Sequence, residues 1–280
     1  MYDLHIHSNC SDGSDDWKTI LQKAEKAGLK CISITDHDNC DVYLQIESYE
    51  KYFSGKIITG IEMTAYIEGL LIEILGYGFD VEKMQESLKV LYLPFEVINQ
   101  AELKRLYERC IALGMEFDND VIQKYDKNKY FYATIYLHDE MRKFKKNREL
   151  VPDIESWEHE NIFFRRHTSN PNSPFYIDER DLFPSPKKVA SIIHEIGGKV
   201  FIPHIYQYEE NAEMILSKLI ETCHIDGIEC YYPSFSKEQT DYLLNFCEKQ
   251  NLFVSCGSDY HGVSRPGNAL GIIGEKKQLA

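Results

Sequence analysis

The sequence predicts an α/β fold: a parallel sheet, open or closed into a barrel, covered by helices and interrupted by a mostly helical insertion. Three observations predict it. Short apolar runs alternate with helical patterns through the first third of the 280 residues. The same rhythm returns in the last third, and strand–helix alternation with short loops is the pattern of a parallel sheet. Between about residues 81 and 184 the rhythm stops.

Residues 2–5 read as a short strand, and 17–27 as a helix closed by Gly28, a residue type that ends helices in a left-handed conformation. Residues 30–35 (KCISIT) are the next strand and 42–53 a helix, followed by strands at 56–63 and 70–75. The stretch 81–184 is rich in Lys, Tyr and Glu, with loop chemistry at 168–174 (TSNPNSP). It reads as an insertion and lid between the halves of one α/β domain, 1–80 and 185–280. A helix at 187–196 stops at Gly197-Gly198, before the strand 199–203 (KVFIP). Helix 211–222, strand 227–231, helix 237–249 and strand 252–255 complete the series.

Composition bounds the function. With 43% hydrophobic and 27% charged residues the chain is ordinarily globular, which excludes wholesale disorder. The 45 Asp+Glu against 31 Lys+Arg, a net charge of −14, argue against stable nucleic-acid binding and against an anionic membrane surface. A small phosphorylated substrate stays admissible, because bound metal ions reverse the field locally. The N-terminal MYDLHIHSNC lacks a cationic and then apolar leader, and no apolar run is long enough to span a membrane. The eight cysteines include no CxxC pair and read as reduced thiols, so a cytoplasmic setting is expected.

The histidines carry the functional signal. Of ten, His5 and His7 stand at the end of the first strand, where residues two apart point to the same side. Asp12-Gly13 follows in a turn-rich loop. The second strand ends in Thr35-Asp36-His37-Asp38, the third in Gly60-Ile61-Glu62, and 199–203 runs into His204. The last strand runs into Gly257-Ser258-Asp259-Tyr260-His261-Gly262. Each piece alone has a bland reading as a cap, turn or surface pair, but strand ends delivering His, Asp or Glu to one face describe a metal site. A mixed His and carboxylate set suits Zn, Mn or Fe better than Ca.

In this order H-I-H, Asp12-Gly13, T-D-H-D, G-I-E and G-S-D-Y-H-G resemble the PHP (polymerase and histidinol phosphatase) family of metal-dependent phosphoesterases, over about residues 1–80 and 186–262. The resemblance implies a distorted (β/α)7 TIM-like barrel and two or three divalent ions, Mn, Fe or Zn. It implies that His5, His7, Glu62 and Asp259 hold one metal, Glu62 and His204 a second, and Asp12, His37 and His261 a third. Where relatives carry a histidine as the remaining ligand of the second metal, this chain has Glu73, which favours Mn or Fe over Zn. The insert also lacks the family's R-P-H-like segment, having Tyr130-Phe131-Tyr132-Ala133-Thr134 in its place. Arg265 is then the candidate phosphate-binding cation, with a solvated loop arginine as the alternative. The run Arg142, Lys143, Lys145, Lys146 and Arg148 reads as a solvated helix face.

The implied activity is hydrolysis of a small phosphomonoester, nucleotide-like or a sugar phosphate, by a metal-activated hydroxide. His37 and Asp259 are the residues whose loss would abolish turnover, and Asp38, or a water held by the metals, is the candidate acid for the leaving alkoxide. The alternatives are a histidinol-phosphate phosphatase and a catalytically degenerate metal-binding domain.

Overall fold

A computed structural model describes residues 1–265 and 267–271; the rest of the loop and tail assigned to the barrel domain lies outside the described residues. The first half runs β1 (Tyr2–Ile6), α1 (Trp17–Lys26), β2 (Cys31–Ile34), α2 (Val42–Gln45), β3 (Lys56–Ile57), β4 (Gly60–Ile67) and β5 (Leu70–Tyr77). Then come α3 (Val81–Leu91), α4 (Phe95–Ala112), α5 (Ala133–Arg142), α6 (Ile154–Glu158) and α7 (Glu160–Phe163), with no strand among them. The rest is α8 (Pro186–Glu195), β6 (Lys199–Ile202), α9 (Ala212–Thr222), β7 (Gly227–Tyr231), α10 (Lys237–Gln250) and β8 (Phe253–Cys256).

Two compact units result. One comprises Met1–Ala65, Glu73–Val90 and the chain from Ser185 onward; the other comprises Tyr66–Ile72 and Leu91–Pro184. The second unit has its own core, in which Leu103 and Leu106 of α4, Tyr136 and Leu137 of α5, and Phe163 and Phe175 are all buried.

Local chemistry explains the helix ends of the first unit. The Asp16 side chain accepts from Thr19 N at 2.9 Å to cap α1, which buries Trp17, Ile20, Leu21 and Ala24 along one stripe. Ser185 caps α8 ahead of Pro186, and Ser236 with Gln239 forms a capping box on α10.

The strands form two sheets, β1-β2-β3 and β4-β5-β6-β7-β8, rather than one closed barrel. The reason lies in 56–63, expected as a single strand. The structure splits it into β3, which pairs with β2, and β4, which belongs to the other sheet, so the chain changes sheets at Ile58-Thr59. Single bridges, Ile6 with Tyr260 and His37 with Glu62, join the sheets near the strand ends. Nor is the larger sheet all parallel. Glu68 and Gly69 both lie at positive φ, the two-residue turn that reverses a hairpin, so β5 meets β6 antiparallel through Leu75 and Phe201.

A further correction concerns 42–53. Only the turn Val42–Gln45 is α-helical, because Ile46 is extended and Ser48 adopts a left-handed conformation before a short 3₁₀ turn at Tyr49–Lys51. Side-chain anchoring outweighs helix continuity here. The Tyr43 hydroxyl donates to the carbonyl oxygens of Ile34 and Ile58 and accepts from Gly60 N, while Phe53 is buried in the core.

Candidate metal centre

The cluster is built by backbone bonds between strand ends. His7 N donates to Tyr260 O at 2.8 Å and Asp259 N to His5 O at 2.9 Å, locking the end of β1 to the loop after β8. Asp38 N donates to Glu62 O at 2.8 Å, locking the end of β2 to β4. Asp38 and Asp259 both sit at φ 51°, a left-handed conformation that aspartate tolerates better than most residues and that turns the chain sharply at the site.

His5, His7, Glu62 and Asp259, all buried, place one potential ligand atom each within 4.8 Å of one another. His7, Asp12, His37 and His261 form a second such group, and His37, Glu62 and Glu73 a third. Nε2 of His5 and Nε2 of His7 face each other at 3.2 Å, and Glu62 Oε2 lies 3.2 Å from both. Asp259 Oδ1 completes this group 3.2 Å from His7 Nε2. His204 Nε2 is 2.9 Å from Glu62 Oε1 and 3.6 Å from Glu73 Oε2.

These donors fit a set of divalent cations. His7 Nδ1, Asp12 Oδ1, His204 Nδ1 and His261 Nε2 are buried without a hydrogen-bond partner. His261 Nε2 and Asp12 Oδ1 lie 3.2 Å apart, in the group that also takes in His7 and His37. Buried polar atoms left unsatisfied cost free energy, and convergent lone pairs are what a cation satisfies.

The electrostatics agree. Burial alone pushes His7 down, but hydrogen bonds to Asp259 and Glu62 and the charge of Asp12 outweigh it and lift the ring to about 10. Burial likewise opposes protonation of His5, yet the charges of Glu62 and Glu229 raise it well above the usual histidine range. Burial should raise Glu62; His5 and His37 instead hold it well below the carboxylate range.

Four buried or half-buried residues that sequence reasoning did not assign brace these ligands. Glu229 on β7 accepts from His5 Nδ1 at 3.1 Å and from His204 N at 2.8 Å. Asp36 accepts from Ser8 N, Ser8 Oγ and Ser11 Oγ, fixing the loop that carries Asp12. Tyr232 donates to Asp259 Oδ2 at 2.8 Å and Tyr208 to Glu73 Oε2 at 2.9 Å. The only signal for Glu229 is a carboxylate within the otherwise uncharged strand GIECY.

The oxygens of Asp38, the candidate acid, accept from Thr64 N at 2.7 Å and Thr64 Oγ1 at 2.8 Å. Arg265 is brought in, within 3.4 Å of Asp12 Oδ2 and of Asp259 Oδ2. The basic run of the insert is held locally, Lys143 to Glu140, Lys146 to Glu116 and Arg148 to Val151 O. His194 bonds Asp226, His138 faces Ser156 O, and His167 faces Ser173 and Asp153, all apart from the cluster.

The α/β fold and a buried His–carboxylate centre at its strand ends define a metal-binding class, and the chain belongs to the PHP domain family, whose model matches residues 3–257. It is 25% identical over 262 residues to a 5'-3' exoribonuclease of Haemophilus influenzae, covering 93% of this chain and 89% of that protein. A phosphoribosyl 1,2-cyclic phosphate 1,2-diphosphodiesterase of Eggerthella lenta is 24% identical, over 93% of this chain and 94% of its own. A 3',5'-nucleoside bisphosphate phosphatase of Chromobacterium violaceum is 21% identical, over 96% and 90%. The fold is similar to that of a Bifidobacterium adolescentis protein described as a metal-dependent phosphoesterase, with TM-score 0.67, 22% identity and coverage of 96% of this chain and 90% of that one. No described helix is long and apolar enough to cross a membrane.

Proposed function

We propose that this protein is a metal-dependent hydrolase of phosphoric esters, acting on a small phosphomonoester, nucleotide-like or a sugar phosphate. The observation that carries the reading is the convergence of His5, His7, Glu62 and Asp259 on one buried point, beside two further such groups. His5, His7, Glu62 and Asp259 would hold one ion; Glu62, Glu73 and His204 a second; Asp12, His37 and His261 a third. Bound divalent cations of this kind polarise phosphoryl oxygens and supply a hydroxide nucleophile at neutral pH. Glu73 makes the second position richer in hard oxygen ligands, which favours Mn or Fe there.

The chain's own residues orient the substrate. Arg265 is 42% exposed at its side chain and spans Asp12 and Asp259, so its guanidinium can turn to a phosphate at the edge of the cluster. Asp38, whose oxygens accept from Thr64, or a water held by the metals would deliver the proton to the leaving group. The two sheets, bridged at His37–Glu62 and Ile6–Tyr260, would be the parts of the family's distorted barrel.

A second reading, an oligonucleotide substrate cleaved from its 5' end, is favoured by the exoribonuclease relatives despite the charge of −14. One experiment tests both. Protein loaded with Mn is offered phosphomonoesters, cyclic phosphodiesters and short RNA, with His37→Ala and Asp259→Ala in parallel. Turnover on monoesters that vanishes in both folded variants supports the proposal. Turnover confined to RNA supports the second reading, and retained turnover in either variant refutes the site.

A further inference from the structure

We infer that Glu229 is a positioning residue of the metal centre, its carboxylate setting the tautomer of His5 and the placement of His204. The inference rests on the metal-binding reading of the site. Glu229 is fully buried on β7, between β6, whose end leads to His204, and β8, with which it pairs through Ser255. Its two oxygens do different jobs. Oε1 faces His5 Nδ1 at 3.1 Å, and Oε2 accepts from His204 N at 2.8 Å.

A carboxylate only accepts, so the His5 nitrogen facing it carries the hydrogen. In the neutral ring that a metal would take, Nε2 of His5 then keeps its lone pair, turned to the space bounded by Glu62 Oε2 at 3.2 Å, Asp259 Oδ1 at 3.6 Å and His7 Nε2 at 3.2 Å. The same side chain holds the backbone from which His204 reaches Glu62. One carboxylate thus spans ligands of two neighbouring metal positions. Gly257 lies against the pair; a side chain there would overlap both His5 Cβ and Glu229 Oε1, so neither has room to swing away. Hydrogen-bonded carboxylates behind ligating histidines orient the ring and raise its basicity.

Glu229→Gln removes the double acceptor while keeping the shape. Its amide oxygen can serve His5 or His204 but not both, and its NH₂ then meets a donor or forces His5 into the tautomer that points a hydrogen at the metal. The test uses metal-stripped full-length protein titrated with Mn²⁺, with free ion read by electron paramagnetic resonance. Glu229→Gln should weaken binding about 10–100-fold. Asp226→Asn, a carboxylate change beside His194 and away from the cluster, should leave Mn²⁺ affinity unchanged. Equal affinity and stoichiometry in wild type and Glu229→Gln overturn the inference. Failure of the wild type itself to bind Mn²⁺ overturns the metal-centre reading, a different arm of the same titration. Should Glu229→Gln not fold, the Zn-loaded wild type decides by long-range ¹H–¹⁵N spectra: a hydrogen on Nδ1 of His5 supports the inference, and one on Nε2 overturns it.

Discussion

Gly257→Ala adds one methyl group where the structure leaves no room for it. No left-handed backbone is required at Gly257, so alanine can adopt the conformation, and the substitution tests packing alone. The new Cβ would overlap His5 Cβ and Glu229 Oε1 and lie 3.1 Å from His5 Cα. Ordinary carbon contacts are at about 3.5–4.0 Å, and the overlap with His5 Cβ is the deeper one, so the end of β1 must retreat by about 1.5 Å. Glycine to alanine at a compatible backbone normally stabilises by about 0.4–1 kcal/mol through the unfolded chain. Overpacking costs about 1–3 kcal/mol, enough to reverse that sign. At about 2–4 °C per kcal/mol, the variant should melt a few degrees below wild type. The larger effect is on chemistry, because an active-site displacement of about 1 Å costs about 10²-fold in rate. Melting curves of the metal-free protein, then Mn-dependent phosphoester hydrolysis, measure the two effects. A variant that melts higher and turns over as wild type would show that His5 is not pinned between β7 and the loop after β8.

Two other predictions follow from residues with separate roles. Glu73→His replaces a hard ligand with imidazole and should shift the Zn-over-Mn preference by about tenfold, or about 1.4 kcal/mol, read by competitive metal loading and elemental analysis; an unchanged ratio would place Glu73 outside the metal set. Asp226 accepts from His194 Nε2 at 2.7 Å and Val200 N at 2.8 Å, and although burial opposes ionisation these partners hold its carboxyl below the usual range. A depressed folded value gives stability that is present above the unfolded value of about 4 and is lost as pH falls through the folded one. Asp226→Asn should therefore lower the melting temperature at pH 7 by about 4–8 °C, from about 2 kcal/mol of charge-assisted bonding, and the deficit should close as pH falls through the depressed folded value. A deficit independent of pH would contradict the assigned cause.

Much of the site was legible because strand geometry is. Two residues apart on a strand means one side, and His5 and His7 indeed meet Nε2 to Nε2. Carboxylates and histidines at strand ends need only the order of elements, not their exact pairing, to be gathered. What the order could not convey is pairing itself. The switch between sheets at Ile58-Thr59 and the antiparallel pairing of β5 with β6 involve partners distant in sequence, Tyr43 and Phe201. The hold of Thr64 on Asp38 spans 26 positions and was likewise not legible. Glu229 was hidden for the converse reason: a lone carboxylate in a short strand has no periodic signature, and its meaning comes only from what faces it.

Charge balance ties these pieces to the choice of substrate. With imidazoles neutral as ligands, Asp12, Glu62, Glu73 and Asp259 carry four formal negative charges in the cluster. Glu229 adds one behind it, and Arg265 offsets one at its edge. Buried charge of this density is costly unless compensated. Two divalent cations would neutralise the set, and a third would add about two positive charges, one of which a hydroxide on the metals would take up. A phosphomonoester carries about −1.5 to −2 near neutral pH and a diester linkage about −1, so the monoester draws more on the third ion. Full occupancy and preference for a monoester are therefore linked: loss of the third ion, as in His261→Ala, should erode monoester turnover more than diester turnover, and equal loss on both would break the link.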